Sequence, residues 1–166
     1  MTKEKFRKFL PSVIPLDLTN LNCYNVETCF PVDNGVNYTK IERIVDLSPG
    51  GVSFARLSLV IPHKDEGYVC TARIPESDAL SLLGATPNKI KKYMYYTKHN
   101  DNDVYINRYT LGIIIIEIDA NVELDSIPEY CGEEVTGKQE YDELYLSNMR
   151  ELLRDKRKKK DATINK

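Results

Sequence analysis

The chain has 166 residues, 42% of them hydrophobic, and a formal net charge of −2. That length fits one domain of about 100–200 residues, and the apolar content excludes a disordered chain, which combines low hydrophobicity with high net charge. No apolar run approaches the roughly 18–20 residues of a membrane span, and MTKEKFRKFLPSVIP lacks the apolar stretch and cleavage site of a signal peptide, so a soluble cytoplasmic protein with no membrane partner is expected.

The elements follow in chain order. TKEKFRKFL predicts a short helix, with Phe6, Phe9 and Leu10 on one side, Thr2 as N-cap and Pro11 as the stop. An irregular wrap follows, interrupted by Pro15, Pro31 and Gly35, with one strand near Asn22–Phe30. NYTKIERIVDL and VSFARLSLVI flank Ser48–Gly51, a glycine turn, and predict a hairpin. In its second arm Ala55, Leu57, Leu59 and Ile61 share one face, while Phe54, Arg56 and Ser58 share the other. After the turn His63–Gly67 comes a strand, YVCTARI, then a helix over Glu76–Leu83 ended by Gly84. Thr86 and Pro87 resemble an N-cap and first-turn pair, which predicts a second short helix in TPNKIKKY.

YMYYTK and VYINRYTLGIIIIEID flank His99–Asp103, a second hairpin turn. Val104–Leu124 is too long for one flat strand, so a bend is expected at Gly112 or Asn121. SIPEYCGEEVTGK reads as loop, and apolar residues at three- and four-residue steps predict a helix over Gln139–Lys160. The expected fold is a single α+β domain over residues 1–153, mostly antiparallel sheet with helices packed on one side and a long C-terminal helix, followed by a basic C-terminal tail at 154–166.

Charge is segregated. Residues 1–10 carry +3, residues 150–166 carry +5, and the rest sums to −10. Such asymmetry bears on partners and steering. One row of carboxylates, Glu117, Asp119, Glu123 and Asp125, alternates with apolar residues, so on a single strand all four would share a face. It admits a Mg²⁺ or Ca²⁺ site, an acidic docking face, or simply a solvated strand edge. No Asp/Glu/Lys constellation accompanies the row, and solvation is the favoured reading.

The basic ends, Lys3, Lys5, Arg7 and Lys8 with Arg154, Lys156, Arg157, Lys158, Lys159 and Lys160, fit weak, salt-sensitive nucleic-acid binding. Compensation of a helix dipole is the alternative. Tyrosine is abundant, with 11 residues and no tryptophan. Tyr93, Tyr95 and Tyr96 face Tyr105 and Tyr109 across the second hairpin, near Lys98, Asn107 and Arg108. Such rings serve as interface anchors or as ordinary strand residues. The four cysteines form no CxxC pair, and His63 and His99 stand beside no nucleophile motif, so neither a structural metal nor a cofactor is expected.

The richness in Lys, Asn, Ile, Tyr and Asp and the compact length are similar in style to small accessory proteins of large AT-rich bacteriophages, which implies a protein that binds and redirects a host enzyme. The expected function is therefore non-enzymatic binding of another protein, as a regulator or inhibitor, through Tyr95, Tyr105, Arg108, Tyr109 and the acidic row. The alternatives are a nucleic-acid-binding regulator using the basic termini and a metal-dependent nuclease or phosphotransferase using Glu117 and Asp119.

Overall fold

Period-two alternation of β-branched and aromatic residues runs through most of the chain, and it is realised as strand. A computed structural model describes residues 2–3, 6–61 and 68–149. Ten strands form one antiparallel sheet: β1 (Thr2–Lys3), β2 (Phe6–Pro11), β3 (Asn22–Cys29), β4 (Tyr38–Asp46), β5 (Ser53–Ile61), β6 (Tyr68–Ile74), β7 (Lys89–His99), β8 (Asn102–Tyr109), β9 (Ile114–Asp119) and β10 (Cys131–Glu134). Their order is β1-β6-β5-β4-β3-β7-β8-β9-β2-β10.

This order closes the sheet on itself. Only two residues separate β1 from β2, yet β1 pairs with β6 and β2 with β9, far apart in the strand order. Lys3 and Phe6 can lie at most about 11 Å apart along the chain. One N-terminal segment therefore holds the two margins close together and curls the sheet into a barrel, with no ladder among the described residues joining β1 to β2 or β10.

Strand register assigns the two faces. Cys29, Ile41 and Ala55 point outward, where α1 (Glu76–Ala85) covers them with Ala79 and Leu83. Ile106, Ile116 and Ile118 also point outward, beneath Leu16, Leu18 and Leu21 of the N-terminal wrap and Val122, Ile127 and Tyr130. The opposite face, bearing Lys8, Glu42, Arg56, Lys92 and Asn107, lines the interior.

These findings correct the expected α+β layering. Helices do not share one side of the sheet: α1 lies outside, whereas a helical segment at 143–149 packs inside, with Leu146 against Phe30, Ile90, Tyr109 and Ile115. The long C-terminal helix is not continuous either. Gln139–Tyr141 is a single 3-10 turn, and Asp142 is extended (φ −83°, ψ 143°) before the helix restarts. Residues 150–160 of that expected helix, and the tail 154–166, lie outside the described residues.

TKEKFRKFL is strand from Phe6, and TPNKIKKY leads into β7. Both stretches satisfy helical and strand periods alike, and pairing to β9 and to β3 and β8 decided them. The two hairpins, the strand in 22–30, the helix after Pro75 and the break at Gly112 match expectation.

Candidate anion-binding interior

Charged side chains from separate strands meet inside the barrel. Lys40 and Glu42 alternate with buried Ile41 on β4, so the pleat sends both inward; Arg56 lies opposite Glu42 on β5, and Lys92 enters from β7. Arg56 Nε donates to Glu42 Oε2 at 2.6 Å, and Lys40 Nζ lies 3.4 Å from Glu42 Oε1. Glu143, from the C-terminal segment, accepts from Lys92 Nζ at 2.5 Å and from Tyr109 Oη at 3.0 Å, and lies 3.5 Å from Lys40 Nζ. Its neighbour Asp142 accepts from Lys8 Nζ on β2 at 2.8 Å.

Two adjacent residues thus reach β2, β4 and β7, strands spread over five steps of the order. At about 4.8 Å per step those strands would span roughly 24 Å in a flat sheet. Their convergence on one short segment follows from the closure.

The side chains of Glu42, Lys92 and Glu143 are 3%, 9% and 15% exposed, so the charges act in a medium far less polar than water. Burial pushes the Glu143 carboxyl upward, but Lys92, Lys40 and the Lys92 and Tyr109 hydrogen bonds outweigh it and hold the group well below the ordinary carboxylate range. Glu42 is lowered in the same way: burial opposes ionisation, and Lys40 and Arg56 overcome both burial and the repulsion of Glu143. Burial pulls the Lys40 ammonium down, yet Glu42 and Glu143 raise it above its usual value. Burial, with Glu143 and Glu117 next, lifts the Tyr109 phenol well above its ordinary value, so Tyr109 remains a proton donor. At neutral pH Glu42 and Glu143 are therefore carboxylates, Lys40 an ammonium and Tyr109 a neutral phenol.

Two buried polar side chains in this interior have no hydrogen-bond partner among the described residues. Asn107 is fully buried with both amide atoms unpaired among the described residues, and the Thr28 hydroxyl is likewise unpaired at 1% exposure. An orphaned buried polar group costs about 1–3 kcal/mol. One end of the lining is aromatic: Phe6 meets Tyr105 edge-on at 5.6 Å, and Tyr96 lies 5.5 Å from Tyr105 and donates to Asp103.

The residues singled out from the sequence are divided by the fold. Tyr105 and Tyr109 line the interior, while Tyr95 and Arg108 point outward, with Tyr95 packed against the outer apolar cluster. Arg108 borders two shallow outer grooves of about 450 and 420 Å³, one beside residues 11–18 and one beside Tyr93 and Tyr95. Glu117 faces inward opposite Lys8, and Asp119 ends β9 by accepting from the Asn121 backbone. Glu123 and Asp125 lie beyond the strand, in a loop and a 3-10 turn, so the four carboxylates share no strand face. Among the described residues no three His, Cys, Asp or Glu side chains group as metal ligands.

Arg7 and Lys8 part to opposite faces: Arg7 pairs outside with Glu134 at 2.6 Å, and Lys8 points inside. Lys5 and Arg154, Lys156, Arg157, Lys158, Lys159 and Lys160 lie outside the described residues, and of Lys3 only the backbone, in β1, is described.

Sequence reasoning passed over Lys40, Glu42, Lys92 and Glu143, and placed Asn107 near the hairpin tyrosines without giving it a role. The signal available was a charge at every second position inside strands whose other face is apolar, as in Lys40-Ile41-Glu42 and Ala55-Arg56-Leu57. A strand ordinarily turns such a face to water, and only closure puts it inside.

No protein-family model matches the sequence, and no curated protein is significantly similar to it. Among solved structures, the crystal structure of the hypothetical protein NE1496 is similar to this chain at 18% identity and a TM-score of 0.59, over 88% of this chain and 97% of that one. At that identity the likeness shows a shared fold. No helix among the described residues is long and apolar enough to cross a membrane.

Proposed function

We propose that the barrel interior binds a small multivalent oxyanion of the phosphate class. The observation that carries this reading is the convergence of Lys8, Lys40, Arg56 and Lys92, from four strands, on an inner face that also carries Asn107 and Thr28, unpartnered among the described residues. Buried ion pairs are a poor route to stability, since apolar side chains of equal volume serve a core as well or better. Recognition is a reason to keep four cations inside. Lysines act as point charges for phosphate, and a guanidinium offers a fork to two oxygens. Arg56, 41% exposed, and Lys40, 20% exposed, leave the cluster open to solvent on the β4–β5 side.

The test is calorimetric titration of the protein with inorganic pyrophosphate, orthophosphate and acetate at physiological salt. Pyrophosphate is expected to bind most tightly and to raise the melting temperature by mass action. Lys40→Met with Lys92→Met is expected to abolish the response. Indifference of the unmodified protein to both phosphates would overturn the reading.

Partner docking at the outer face of the second hairpin is a second reading. It is favoured by Tyr93, 36% exposed beside Arg108, Tyr95 and a groove of about 420 Å³. Glu123 and Asp125, outside the barrel, belong to this reading, as an acidic surface that steers a basic partner. Arg108→Glu combined with Glu123→Lys and Asp125→Lys should abolish capture of a protein partner while the melting temperature holds; undiminished capture removes the outer surface from consideration.

A further inference from the structure

Resting on the oxyanion reading, we infer that the C-terminal segment is an internal counter-anion: the Glu143 carboxylate occupies the seat between Lys40, Lys92 and Tyr109 that an oxyanion takes, and the ligand must displace it. Four observations support this. The first is geometric. Glu143 Oε1 already accepts two hydrogen bonds, from Lys92 at 2.5 Å and Tyr109 at 3.0 Å, and Oε2 lies 3.5 Å from Lys40, a donor triangle that one phosphate oxygen edge would fill in the same way.

The second concerns provenance. Asp142, which pairs with Lys8, and Glu143, which pairs with Lys40 and Lys92, come from the C-terminal segment, while Glu42, on the barrel wall, also pairs with Lys40. Withdrawal of the segment leaves Lys92 without an ion-pairing carboxylate among the described residues, while Lys40 retains Glu42.

The third is the manner of attachment. The segment follows Gly137, at φ +74°, and a single 3-10 turn, and Asp142 is extended; it belongs to no strand ladder. Local opening of such a segment costs far less than opening the barrel. Leu146 and Leu144 hold it by apolar contact with Phe30, Ile90 and Ile115, which gives the closed state a definite stability to be overcome.

The fourth is the pair of orphans. Asn107 and Thr28 line the interior that the segment enters and remain unpaired with Glu143 in its seat. A single carboxylate leaves the Asn107 Nδ2 and Thr28 Oγ1 donors unused, whereas a ligand with more acceptor oxygens offers such donors further partners. The segment therefore neutralises the cations without completing the site, as a resident that can be exchanged would.

The energetic consequence is a conformational tax. If the vacated seat is a minor state, the apparent dissociation constant exceeds the intrinsic one by the inverse of that state's population. Removing the charge while keeping the shape lifts the tax. Glu143→Gln should therefore bind inorganic pyrophosphate roughly tenfold more tightly than the unmodified protein. Glu140→Gln, an exposed acid on the same segment, should bind as the unmodified protein does.

The experiment is a calorimetric titration of the full chain and both variants with pyrophosphate. It is paired with amide hydrogen exchange of the unmodified protein, with and without pyrophosphate, which does not depend on any variant folding. Tighter binding by Glu143→Gln together with faster exchange at 142–148 on adding pyrophosphate supports displacement. Binding by the unmodified protein with unchanged or slower exchange there, or with Glu143→Gln no tighter, overturns the counter-anion and leaves the oxyanion site standing. Failure of the unmodified protein and Glu143→Gln alike to bind overturns the site, and the counter-anion with it.

Discussion

The two faces of β8 and β9 are made from the same strands and obey opposite rules. Outward, Ile106, Ile116 and Ile118 form a dry apolar cluster, 0–2% exposed, roofed by the N-terminal wrap and the 122–131 loop. Inward, Tyr105, Asn107, Tyr109 and Glu117 join lysines, carboxylates and unpaired amide groups. The outer face supplies stability through area removed from water, which needs no geometry beyond contact. The inner face holds charges whose desolvation is offset only while every partner stays in place. Stability and recognition are thus divided between the sides of one sheet.

Breaking the outer face should cost most and depend least on conditions. Ile116→Ala, at a fully buried site, is expected to lose about 2–5 kcal/mol in urea denaturation, by nearly the same amount at low and high salt. Glu143→Gln should follow, at about 3 kcal/mol, because Lys92 then stays buried without a counter-charge while the Tyr109 hydrogen bond persists. Added pyrophosphate should narrow the gap between Glu143→Gln and the unmodified protein and leave the gap for Ile116→Ala unchanged.

Acid sharpens the same contrast. The folded-state pKa values of Glu143 and Glu42 lie below their ordinary value of 4.5, so the unfolded chain takes up protons first as pH falls. Their stabilisation is complete above about 4.5 and is lost progressively below it. Melting temperatures from pH 6 down to pH 2 should therefore fall steeply for the unmodified protein and less steeply for Glu143→Gln. Ile116→Ala should run parallel to the unmodified curve.

Two smaller effects concern the rims. Gly112, at φ +90°, turns β8 into β9, and no atom would contact an added Cβ. Gly112→Ala should accordingly cost about 1–2 kcal/mol, from backbone conformation alone. Among the cysteines, Cys70 is exposed, whereas burial pushes the Cys131 thiol up to about 11 and also raises Cys29. Mass spectrometry after brief alkylation at neutral pH should find Cys70 modified first.

Much of the local structure could be read directly. The Ser48–Gly51 and His99–Asp103 turns, the helix after Pro75 and the break at Gly112 follow from residues whose backbone preferences act within a few positions. The failures came where two periods fit the same residues. In FRKFLP, Phe6, Phe9 and Leu10 satisfy a helix, whereas pairing of Arg7 and Phe9 with Ile118 and Ile116 on β9 made the stretch a strand. The acidic row misled for a related reason: its alternation outlasts the strand, which ends at Asp119.

By itself, then, the sequence determined where the chain turns, which positions of the first hairpin are apolar, and that Lys40, Glu42 and Arg56 alternate with them. Local preference and pleat period suffice for that, because both act over a few residues. The tertiary structure alone decided that the charged face is the inner one. Closure depends on one N-terminal segment pairing with β6 and β9 at once, and the approach of Glu143 to Lys40 and Lys92 spans 103 and 51 residues of chain. No window of local sequence encodes contacts at that separation; they arise when strand pairing and twist bring the margins of the sheet together.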